Sequence, residues 1–108
     1  IQVLARTGQF LFQIGEQGNL LGQLYQPRSM SLLERGEHQS LIVCDRNNHR
    51  IQIFNALDGT FISSFGSHGS DQGQFGEPCG VAILKDGRIV VSEKEGRSQH
   101  RVQMFTVR

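Results

Sequence analysis

Apolar residues fall along this chain in short runs separated by polar turns, at residues 1–4, 10–14, 41–44, 50–54, 61–65, 80–84, 88–92 and 101–105. The runs are rich in Val, Ile and Phe and bounded by Gly, Asn, Asp or Pro, and none has the length or 3.6-residue period of a helix. Phe10, Phe12 and Ile14 alternate onto one face, as a strand requires. Val81-Ala82-Ile83-Leu84 is instead apolar on both faces, the pattern of a sheet covered on both sides. Asp58-Gly59 and Asp86-Gly87 supply hairpin turns. The pattern predicts an all-β chain.

The runs also recur. Gly8, Phe10, Gly15, Gly18, Gly22, Gln23 and Pro27 correspond to Gly59, Phe61, Gly66, Gly69, Gly73, Gln74 and Pro78, each pair 51 positions apart. Residues 29–33 continue the match onto 80–84, and residues 41–45 match 89–93 at an offset of 48. A longer turn over residues 94–99 then restores the phase, so that His49-Arg50 meets His100-Arg101. Length changes confined to turns are how a structural repeat absorbs insertions. A period of about 50 built from short strands is that of a four-stranded propeller blade, whereas helical repeats are shorter. With strands lettered a to d from the hub outward, residues 1–14 supply c and d of a first blade. Residues 29–65 supply a complete blade, and residues 80–106 supply a, b and c of a last one. That is about two and a quarter blades, where a closed ring takes about four to eight. The expected architecture is an incomplete propeller with apolar end faces, completed by the remaining blades of a longer parent or by self-association.

These residues resemble the NHL repeat. Asp45, Asn48, His49, Arg50, Ile51, Gln52, Ile53 and Phe54 match its Asp-x-x-Asn-x-Arg-Ile-Gln-Val-Phe core. Gly66, Gly69, Gly73, Gln74, Phe75 and Pro78 match the Gly-x-x-Gly-x-x-x-Gly-Gln-Phe-x-x-Pro element that accompanies it. The last unit departs, with Glu93 for the aspartate, Ser98-Gln99 where an asparagine is usual, and a longer turn. The resemblance implies a β-propeller of NHL type, similar to the C-terminal domain of TRIM-NHL proteins. It implies a non-catalytic binding module, since some members bind RNA hairpins or single-stranded motifs on one face of the ring. Others of their domains include a ubiquitin-ligase RING, but no RING, B-box or coiled-coil sequence occurs in these 108 residues.

Composition changes this picture little. Eleven Lys and Arg against ten Asp and Glu give a formal net charge of +1, which selects no partner. The length suits one domain. Cys44 and Cys79 align with Ser92 and Arg28 of the other units and read as free thiols packed on strands. With no apolar run long enough to span a bilayer, no membrane role is expected, and a reducing cytoplasmic setting fits the thiols. The missing initiator Met marks the chain, as an expectation, as a piece of a longer protein.

Tracing a, b, c and d in alternating directions puts the d–a links and b–c turns on one rim. That rim collects Tyr25, Arg28, Arg46, Asn47, Asn48, His49, Arg50, His68, Lys94, Arg97, Gln99, His100 and Arg101, hence six of the 11 Lys and Arg, diluted by Asp45, Asp71, Glu77, Glu93 and Glu95. Arg50 and Arg101 recur at the motif position and are expected to tie the turn to a neighbouring blade. The candidate binding residues are Tyr25, Arg28, Arg46, Asn47, His68, Lys94 and Arg97. In an RNA site guanidinium groups would meet phosphates, Tyr25 or a histidine would stack on an unpaired base, and amides would reach base edges. The same rim serves equally a scaffold that binds only proteins. A metal-dependent lyase or hydrolase propeller is the third reading, and no cofactor or metal is expected. His38 and His68 fall on opposite rims, and there is no His-x-His or Cys-x-x-Cys pair. No Gly-x-Ser-x-Gly elbow is present, and no helix follows the glycine-rich links to make them phosphate cradles.

Overall fold

The computed structural model describes residues 1–95 and 99–106, the side chains of residues 95 and 99 excepted. Within them nine strands make three antiparallel sheets, each a meander in which sequence neighbours pair. The first sheet holds β1 (Gln2–Leu4) and β2 (Phe10–Gln13). The second holds β3 (Ser29–Arg35), β4 (His38–Asp45), β5 (Arg50–Asn55) and β6 (Phe61–Phe65). The third holds β7 (Glu77–Ile83), β8 (Ile89–Glu95) and β9 (Gln99–Phe105). Several strands outrun the apolar runs that announce them. β4 starts at His38 because the ladder with β3 continues through polar residues to Arg35↔His38, and β7 starts at Glu77 because a bulge between Pro78 and Gly80 keeps it paired with β8. A short 3-10 turn, Arg46–Asn48, joins β4 to β5 where no helical residue was expected; His49 ends it in the left-handed region at φ 58°.

The sheets stack face to face. Ile42 and Cys44 of β4, Ile51 and Ile53 of β5, and Ile89 and Val91 of β8 close one core around Phe75. Val43 and Phe54 project from the opposite face of the second sheet and close another core with Ile14 and Leu24. The central strands β4 and β5 of the second sheet are thus buried on both faces, which is why they carry apolar residues at successive positions. Leu24 and Phe75 are repeat equivalents, each dropped into a seam by the link that precedes β3 or β7. Phe75 is fully buried, which stabilises the seam by about 2–3 kcal/mol. Gly66 makes this possible: at φ 99° its missing Cβ would lie 2.5 Å from the Phe75 ring. At the inner edge Ser31 Oγ donates to the Val81 carbonyl across 2.8 Å, joining β3 to β7.

Candidate functional site

The rim is built on a buried polar knot. Asp45, at the end of β4, has no solvent exposure. Its Oδ2 accepts from Arg50 Nε at 2.8 Å, Asn48 Nδ2 at 2.9 Å and Gln52 Nε2 at 3.1 Å, and its Oδ1 accepts from the Tyr25 amide at 2.7 Å. Arg50 then donates Nη1 to the Asn19 carbonyl and Nη2 to the carbonyls of Leu20 and Gln23. Gln52 donates to the Gln23 carbonyl and accepts from the Gly22 amide. A carboxylate with four donors and an arginine that feeds backbone carbonyls satisfy the rule that buried polar groups be paired.

The third sheet repeats the knot. Arg101 Nε meets Glu93 Oε1 at 2.5 Å, while its Nη groups donate to the carbonyls of Ser70, Asp71 and Gln74. Gln103 donates to the Gln74 carbonyl and Glu93 Oε2 and accepts from the Gly73 amide. The Asp-to-Glu departure therefore keeps the arginine and glutamine bonds of the knot, while the bonds that Asn48 and the Tyr25 amide make to Asp45 belong to the first knot. Arg50 and Arg101 do serve the fold, and what they hold is the link leading in from the preceding sheet. Gln52 is a motif position and Gln103 lies 51 residues further on; their side chains complete each clamp, and that recurrence is the signal the sequence carries.

Around this knot lies the outer layer. Arg46 Nη2 and Asn47 Nδ2 both donate to Gln26 Oε1, at 2.8 and 2.7 Å, and the Asn47 amide donates to the Tyr25 carbonyl at 3.1 Å. Arg28 is exposed and its amide donates to the Cys44 carbonyl at the end of β4. Tyr25, Arg28, Arg46 and Asn47 thus converge on the first b–c turn, with Tyr25 44% exposed. Gln26, which gathers Arg46 and Asn47, gave no sign in the sequence because its repeat equivalent is Glu77. His68 reaches the same turn from the second link, its ring stacked on His49 with centroids 4.0 Å apart. His49 Nδ1 donates to the Gly76 carbonyl and so holds the pair over the seam. Lys94 is exposed on β8, opposite Glu77 in the ladder, and belongs to the next sheet along. Arg97 lies outside the described residues.

Arg46 Nε is buried without a hydrogen-bond partner among the described residues. Among the same residues Arg28, Arg46 and Lys94 form no ion pair. Both cysteines are free thiols. Burial first, and the nearby Cys79 second, push the Cys44 thiol up to about 12, leaving it protonated and inert. No group of three or more His, Cys, Asp or Glu side chains among the described residues is placed to hold a metal ion. Nor does any helix among them have the length and apolar character to cross a membrane.

Comparison with known proteins agrees with this geometry. Residues 24–54, which run from the Leu24 plug through the knot to Phe54, match the family model of the NHL repeat. Over 94 residues, 86% of this chain, the sequence is 34% identical to Protein brain tumor of Drosophila melanogaster, and the match spans 8% of that protein's length. Strand order, a clamp made twice and these matches together show that the chain carries the NHL repeat, on sheets stacked as in an NHL-type β-propeller.

Proposed function

We propose that this chain is a non-catalytic binding module whose rim of Tyr25, Arg28, Arg46, Asn47, His68, Lys94 and Arg97 takes single-stranded or hairpin RNA. The observation that carries this reading is a division of labour among the cations. Arg50 and Arg101 spend their donors on buried carboxylates and link carbonyls. Arg28, Arg46 and Lys94 stand exposed or half-exposed on the rim without an ion pair among the described residues. Guanidinium and ammonium groups so placed suit phosphate oxygens. Gln26 holds the Arg46 guanidinium by one Nη, which lowers the ordering cost when a ligand arrives. Tyr25, 44% exposed at the same turn, offers a ring on which a splayed base can stack. The module would serve a longer TRIM-NHL-like post-transcriptional regulator, working in the cytoplasm where both thiols stay reduced.

The test is retention of a randomised RNA pool by the wild-type chain and by a variant with Arg28, Arg46, Lys94 and Arg97 all changed to Ala. The wild type should bind with log affinity falling as log salt rises, at a slope of about −0.7 per phosphate neutralised, and the variant should bind more weakly with a shallower slope. Equal retention by the two would overturn the RNA reading. A partner captured equally well after nuclease treatment would move the same rim to protein binding.

A further inference from the structure

Two leucines stand where the fold has no use for them. The two links share one backbone geometry. The Gly18 amide donates to the Leu24 carbonyl at 3.0 Å, as Gly69 does to Phe75 at 3.2 Å. The Gln23 amide donates to the Leu20 carbonyl at 2.9 Å, as Gln74 does to Asp71 at 3.0 Å. The glutamine side chain returns to accept from the Leu20 amide in one link and the Asp71 amide in the other, both at 3.1 Å. At the tip of the second link the side chains are Asp71 and Gln72, both exposed. At the tip of the first they are Leu20 and Leu21, exposed to 66% and 68%. The same turn is therefore satisfied by polar residues, and the leucines forgo burial without repaying the fold.

Their setting says what would cover them. The tip is locked, since the Leu20 carbonyl accepts from Arg50 Nη2 at 2.8 Å and the Gly22 amide donates to Gln52 Oε1 at 2.9 Å. Little order is lost when such a tip docks. Glu16 is the one charged residue between positions 15 and 26, so the link has no cation for a phosphate. Glu16 and Leu21 line one cleft of about 530 Å³, shared with the amides of Gln13 and Gln23. We propose that the Leu20–Leu21 tip and this cleft dock a protein segment that sets an apolar side chain on the leucines and a Lys or Arg against Glu16. The inference is independent of the RNA reading, because it uses none of the basic rim.

The experiment selects a random peptide library displayed on phage against the full chain, with counter-selection on the Leu20→Asn, Leu21→Gln variant. Surviving peptides should pair an apolar residue with Lys or Arg and bind the wild type about tenfold more tightly than the variant, a difference of the size a single good contact produces. Glu16→Gln should weaken the same peptides, while the RNA pool is retained equally by wild type and double variant. Failure of any peptide to survive, or survivors without a basic residue, would overturn the proposal. So would a double variant with a lowered unfolding midpoint, which would give the leucines a folding role. Loss of RNA retention in the double variant would assign the tip to RNA, and loss of a wild-type dimer would assign it to a second copy; either outcome overturns the docking of a separate protein.

Discussion

Arg50 leaves 11% of its side chain open to water beside a buried Asp45, whereas the equivalent Arg101 leaves 25% open beside a buried Glu93. A stranded buried charge is costly in proportion to how little water can reach it. Arg50→Ala should therefore destabilise the chain by about 3–5 kcal/mol, and Arg101→Ala by less, about 1–3 kcal/mol, read from urea unfolding midpoints at constant slope. Equal losses would mean that solvent access does not separate the two knots. At the hairpins the carboxylates are exposed and act through local bonds. The amide and hydroxyl of Thr60 hold the Asp58 carboxyl below its usual range, and the Arg88 amide foremost does the same for Asp86. Their folded values lie below the unfolded ones, so their contribution is fully present above about pH 4 and is lost as the pH falls through the folded values. An Asp58→Asn, Asp86→Asn variant should start less stable than wild type at neutral pH and lose less on acidification below about pH 4, by thermal unfolding across the range.

Glycines in the links divide by what lies over them. Gly73 is at φ 81° with open space where a Cβ would go, while Gly66 is at φ 99° with Phe75 in that space. Gly73→Ala should cost only the left-handed backbone, about 1–2 kcal/mol. Gly66→Ala adds displacement of a fully buried ring and should cost about 1–3 kcal/mol beyond that. Comparison of the two midpoints checks it, and equal values would mean that the Phe75 seam yields freely. These elements show what the sequence could and could not convey. Strand order was legible because the link glycines recur 51 positions apart, the β-runs recur at offsets of 51 or 48, and Asp58-Gly59 and Asp86-Gly87 each mark a hairpin turn. The clamp was not, because Gln52 and Gln103 act on backbone groups some 30 residues earlier, and a side chain bonded to a carbonyl leaves no mark in an apolar pattern. The Leu20–Leu21 tip was invisible for a related reason: only identical backbone bonding in both links shows that leucine is optional there.

Across the whole chain, burial is unequal between the sheets. The central strands of the second are covered on both faces, whereas Leu4, Phe10 and Leu11 on the first and Val102 and Met104 on the third are each more than half exposed. On β9 the alternation is informative. Arg101 and Gln103 engage the link and Phe105 joins the core, so Val102 and Met104 project from the other face. The basic candidates spread in the same way over more than one sheet: Arg28 and Arg46 gather at one turn, and Lys94 sits a sheet away, so the rim was legible as a list and not as a cluster. Apolar sheet faces of this kind normally pair with another sheet, and stacked repeats without such a cover tend to associate. In solution the 108-residue chain should therefore show a sedimentation mass that rises with concentration. Val102→Lys with Met104→Lys should shift it toward monomer while leaving the unfolding midpoint little changed, since neither side chain reaches the Phe75 core. A wild-type chain that stays monomeric at all concentrations would show that these faces are stable in water, and would remove self-association as the way they are covered.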